Sequence, residues 1–134
     1  MNSVFARAAA GVGYAITIAF GVWHFFVPRA WDWYRYIDEQ ATELVAAVRA
    51  VNVFFSLALV LFGLTGLIFL FRKPDELFSM RVHLGAMVLL WSVRVVMQIL
   101  YPQGTINPLI RYSMLSAFIL EMLLFTAGFA GTWR

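Results

Sequence analysis

The chain has 134 residues, 63% of them hydrophobic and 13% charged, with a mean hydropathy of +0.82. A soluble domain carries about twice that share of charge, so water is not the main solvent here. The absence of cysteine excludes disulfides, thiolate metal sites, cysteine nucleophiles and covalent c-type haem. The formal net charge of +3 comes from basic residues scattered singly, with no run longer than Arg72-Lys73, which argues against a nucleic-acid surface.

A helix needs about 20 mostly apolar residues to cross a hydrocarbon core about 30 Å thick. The first such stretch, Ala8 to Pro28, contains no Asp, Glu, Lys or Arg. It is too long for a secretory signal and has no small-residue cleavage site at its end, so it predicts a retained span over about 6–28.

The next segment, about 29–43, sets Trp31, Trp33, Tyr34 and Tyr36 among charges. Aromatic residues of this kind anchor a chain where headgroups meet acyl chains. Trp31, Tyr34, Ile37, Ala41 and Leu44 recur every three or four residues, which predicts a short interfacial helix between the first two spans.

The second span is expected over about 47–71 and the third over about 76–101, where Arg94 is the one charge within Val82 to Tyr101. Pro74, Asp75 and Glu76 suit the start of the third helix, since proline fits a first turn and acids complement the dipole. The fourth span, about 108–131, has Asn107-Pro108 as its cap and first residue, and Glu121 as its one buried acid.

No linker or low-complexity tract interrupts residues 1–134, so a single all-α domain is expected, an up-down bundle of four transmembrane helices with short connections. Both termini then lie on one side, with Arg7, Arg72, Lys73, Arg81 and Arg134. The other side holds Arg29, Arg35, Arg49 and Arg111 beside Asp32, Asp38, Glu39 and Glu43. That balance predicts a multi-pass protein of the plasma (inner) membrane with cytoplasmic termini.

Ionisable and polar groups inside the bilayer are costly, so their depth is informative. A rise of 1.5 Å per residue from mid-span puts Arg94 about 4 Å, His24 and Gln98 about 10 Å and Asn52 about 13 Å toward the side opposite the termini, with Arg49 near the interface. Helical periodicity groups His83, Met87, Leu90, Arg94, Gln98 and Tyr101 on the third helix, and Arg49, Asn52, Ser56 and Gly63 on the second. On the first, His24 shares its face with Ala10, Gly13, Thr17, Phe20 and Gly21, a groove rich in small residues of the kind that lets membrane helices approach. His24, Arg49, Asn52, Arg94 and Gln98 are therefore expected to form a ligand-binding polar cavity in the outer leaflet.

Arg94 cannot lose its proton and needs a partner at that depth, either Glu121 in an intramembrane ion pair or the anionic group of a ligand. His24 and His83 fall in opposite leaflets, about 20 Å apart by rise alone, too far to share one haem iron. No catalytic residues, metal site or cofactor is assigned, and HExxH, GxSxG, phosphate loops and paired carboxylates within one span are missing.

The leading expectation is a non-enzymatic protein that binds or transports a lipid or a small amphipathic or anionic ligand. Its partners would be membrane lipids, that ligand, and a second copy or a larger membrane complex, but no nucleic acid. The alternatives are an accessory subunit of such a complex and a small lipid-modifying enzyme using His24 as acid or base.

Overall fold

The computed structural model describes residues 4–38, 40–71, 77–104 and 107–133. In chain order they form α1 (Val4–His24), α2 (Val27–Ala30), a 3-10 turn (Trp33–Tyr36), α3 (Thr42–Phe71), α4 (Leu77–Leu100) and α5 (Pro108–Ala130), with no strand among the described residues. Helices α1, α3, α4 and α5, of 21, 30, 24 and 23 residues, are long and apolar enough to cross a membrane.

Helix α1 stops at His24, four residues before the expected end of the first span. The cause is Pro28, which has no N–H for the His24 carbonyl and whose ring would press on that carbonyl in a continuous helix. Phe26 N instead donates to Trp23 O at 2.9 Å, and the chain restarts as α2 with Pro28 in its first turn.

The segment expected as one interfacial helix contains the end of α2 and the 3-10 turn, separated by Trp31 and by Asp32 in the left-handed region at φ 50° and ψ 45°. A short polar side chain tolerates that conformation better than most. The backbone extends at Ile37, and Asp38 Oδ1 accepts from Gln40 N at 2.9 Å. Helix α3 then begins at Thr42, five residues before the expected start, with Glu43 in its first turn where the helix dipole favours an acid. At 1.5 Å per residue α3 is about 45 Å long, more than a hydrocarbon core about 30 Å thick requires.

Helix α5 starts as its sequence implies, with Asn107 Oδ1 accepting from Leu109 N at 2.9 Å and Pro108 in the first turn. The Pro74-Asp75-Glu76 start expected for the third span lies outside the described residues, as do Arg72, Lys73 and Arg134.

The chain forms two compact units, one of Met1–Gly13 with Gly66–Arg134 and the other Tyr14–Thr65. In the first, α4 and α5 run antiparallel, Leu84 facing Gly128, Gly85 facing Phe129 and Trp91 facing Phe118. The first half of α1 packs on the end of α5, where a Cβ on Gly131 would overlap Ala6 and one on Gly128 would come within 3.0 Å of Ala10. Arg81 Nε donates to Thr132 O at 3.1 Å, with a second bond from Nη2, and its guanidinium stands 4.4 Å over the Trp133 ring. A cation thereby satisfies a carbonyl just past the end of α5.

In the second unit the later half of α1 packs antiparallel to the first two-thirds of α3. Gly21 lies so near α3 that a Cβ there would be 2.9 Å from Ser56 O and from Val60 N. Such approach needs a residue without a side chain, which is why small residues mark contacts between apolar helices.

The burial pattern is compatible with helices that cross a membrane. Thr17, Asn52, Ser56, Gln98 and Glu121 are buried, while Phe54, Leu61, Ile68, Leu89, Val93 and Leu123 are exposed. Soluble monomers do not present so much contiguous apolar surface to water.

Candidate functional site

The polar residues of the second unit gather at the end of α1. His24, the last residue of that helix, places its Nδ1 3.5 Å from Ser56 Oγ on α3, and Ser56 Oγ donates to Asn52 O at 2.6 Å. The imidazole meets the Phe55 ring edge-on at 4.7 Å and the Trp33 ring at 6.2 Å. Asn52 is 6% exposed, and its Oδ1 has no hydrogen-bond partner among the described residues. A buried carboxamide oxygen in that state is an acceptor awaiting a donor.

Arg49, one turn before Asn52, is exposed, and its guanidinium lies 5.1 Å from the centre of the Tyr34 ring. The connecting segment is thus tied to α3 through an aromatic face. Of the expected anchors, Trp33 and Tyr34 are half-buried and hold these contacts, whereas Trp31 and Tyr36 are exposed. The α3 stripe expected from periodicity is buried at Asn52, Ser56 and Gly63 but not at Arg49.

Arg94 and Gln98 belong to the other unit. Gln98 is buried, and its Nε2 donates to Gln103 O at 3.0 Å while its Oε1 accepts from Gln103 N at 3.4 Å. The carboxamide therefore pairs with both backbone groups of Gln103 and folds the chain back after α4. Arg94 donates from Nη2 to Gln103 Oε1 at 2.7 Å and to Gln98 Oε1 at 3.5 Å, and its guanidinium stands 4.1 Å over the Phe118 ring.

Among the described residues, these partners are two carboxamides and an aromatic ring, all neutral. Glu121, the acid expected beside Arg94, is fully buried on α5, one turn past Phe118.

The buried face of α4 is Met80, Leu84, Met87, Trp91 and Gln98, rotated from the expected stripe, which leaves Tyr101 exposed and His83 half-buried with its ring edge against Phe69 at 5.7 Å. Two contributors escaped sequence reasoning. Ser56 was expected on a face but not as the partner of His24, and Gln103 lay past Pro102 in a connection too short to suggest a role. The signal available for Gln103 was its spacing, one helical turn and a proline beyond Gln98. Among the described residues no group of three His, Cys, Asp or Glu side chains converges as a metal site.

No protein-family model, no curated protein and no solved structure matches this chain.

Proposed function

We propose that this is a multi-pass membrane protein, an up-down bundle of four spans, that binds a lipid or another small amphipathic anion. The anionic group is held by Arg94 together with Gln98 and Gln103. The observation that carries this is a guanidinium on a membrane-length helix whose partners are neutral amides and an aromatic face. A permanent charge in such surroundings is stabilised by a counter-ion, and an anionic ligand is the natural source.

The carboxamides hold the guanidinium plane and still leave N–H groups to donate. Arg94 has five such donors in a planar fork matched to carboxylate or phosphate. In the other unit His24, Ser56 and Asn52 form a polar cluster of their own, with Asn52 Oδ1 a buried acceptor. The termini are assigned to the cytoplasm by the positive-inside rule, and the aromatic segment before α3 to the opposite interface.

The test is native mass spectrometry from nanodiscs of the wild type and Arg94→Ala, with released small molecules identified. Wild type is expected to retain a specific anionic lipid or metabolite. Arg94→Ala is expected to lose it by about tenfold or more while keeping its helical content, because the charged hydrogen bonds of a half-buried guanidinium are lost. Equal retention by a folded Arg94→Ala protein overturns the assignment, and an empty protein carrying a stoichiometric protein partner would make it an accessory subunit.

A further inference from the structure

A second feature lies within the unit that contains both chain ends. The start of α1 and the last turn of α3 leave between them a groove of about 550 Å³ bordered by Val4, Arg7, Ala8, Gly11, Leu67 and Phe71. Small side chains keep it open, for a Cβ on Gly11 would stand 3.3 Å from Leu70 Cδ2. Its walls are apolar apart from Arg7, which is exposed and donates from Nη2 to Leu70 O at 3.2 Å.

That bond fixes the charge in place. The Leu70 carbonyl belongs to the last turn of α3, where carbonyls lack partners within the helix. Arg7 therefore caps α3 and sits at the rim of the groove with donors to spare in its fork.

The order of groups along the groove follows that of a phospholipid. Arg7 is four residues into α1 and Phe71 ends α3, so both stand at the level of the headgroups if these helices span the membrane. Gly11 and Leu67 lie one helical turn deeper, among the acyl chains. The leaflet is the one facing the termini, taken above as cytoplasmic, where anionic lipids concentrate and basic pockets between helices bind their headgroups.

We propose that this groove is a binding site for an anionic phospholipid of the leaflet at the terminal side, with its phosphate on Arg7 and one acyl chain along Ala8, Gly11 and Leu67. It is independent of Arg94 and rests on the four-span reading with cytoplasmic termini.

The experiment is native mass spectrometry of the full chain from nanodiscs of mixed phosphatidylglycerol and phosphatidylcholine, comparing wild type, Arg7→Gln, Ala8→Phe, Gly11→Leu and Arg94→Ala. Ala8 is exposed, so Ala8→Phe fills the groove without burdening the helix contacts should Gly11→Leu fail to fold. Wild type is expected to enrich phosphatidylglycerol. Arg7→Gln should lower that enrichment by about fivefold, the loss of one basic contact. Ala8→Phe should remove one bound lipid, and in an Arg94→Ala background, where the ligand of the other site is already lost, Arg7→Gln and Ala8→Phe should produce the same further decrements. Unchanged enrichment in Arg7→Gln together with an unchanged lipid count in Ala8→Phe overturns the site. Loss in Arg94→Ala alone overturns it too and leaves the Arg94 assignment standing.

Discussion

The Arg94 guanidinium lies 4.1 Å over the Phe118 ring while donating to Gln103 Oε1 at 2.7 Å, so a helix of one hairpin arm holds its charge with the other arm's aromatic face and with the chain that joins them. Stacking and a planar fork are properties of arginine that lysine does not share. Arg94→Lys is therefore expected to keep the charge but lower retention of the anionic ligand by about fivefold, the equivalent of one lost cation–aromatic contact. Ligand release followed by native mass spectrometry checks it. Retention equal to wild type would mean that a point charge suffices.

Asn52 tests what a buried carboxamide does for the fold. Its Oδ1 is buried without a hydrogen-bond partner among the described residues, so removing it relieves an unsatisfied group. Asn52→Leu is expected to leave thermal stability in detergent unchanged or raised, because it removes a buried polar group that costs about 1–3 kcal/mol when unsatisfied. A fall in stability would instead show that the carboxamide serves the fold.

Gly21 tests the packing of α1 on α3. An added Cβ would meet the α3 backbone at Ser56 O and Val60 N, 2.9 Å away, and neither atom can turn aside as a side chain does. Gly21→Ala is expected to destabilise the protein by about 1–3 kcal/mol, the usual cost of overpacking. Denaturation in mixed micelles measures it, and a loss well under that range would mean that the helices separate easily here.

The cysteine-free chain makes topology simple to determine, because a single introduced thiol is the one target for an impermeant maleimide. With the assigned orientation, Asp38→Cys should label from outside intact cells and Trp133→Cys only after the membrane is opened. The reverse pattern inverts the protein, and labelling of both from outside contradicts an arrangement with Asp38 and the carboxyl terminus on opposite sides.

Much of the helical layout was legible in the residues themselves. Four membrane-length apolar helices follow from composition alone, since the cost of leaving backbone and charge in hydrocarbon depends little on what packs nearby. Local chemistry also settled the Asn107 cap, and the small-residue face of α1 at Ala10, Gly13, Thr17 and Gly21 is buried as its spacing implied. The end of the first span was within reach too, because Pro28 denies the His24 carbonyl its donor, although hydropathy carries the apolar run four residues further.

The rotation of α4 was not legible. Its apolar surface is nearly continuous, so a stripe chosen by its polar members, His83 to Tyr101, differs from the stripe that neighbours bury, Met80 to Gln98. In lipid, an exposed Leu and a buried Leu see similar surroundings, and hydrophobicity no longer reports the inward face. The capture of Gln103 by Gln98 and Arg94, the stacking on Phe118 and the meeting of His24 with Ser56 all bring together residues from different segments. Composition determined which helices are apolar enough for the membrane; tertiary packing alone decided which polar groups within each unit touch, because such contacts depend on helix rotation and register that local sequence leaves nearly degenerate.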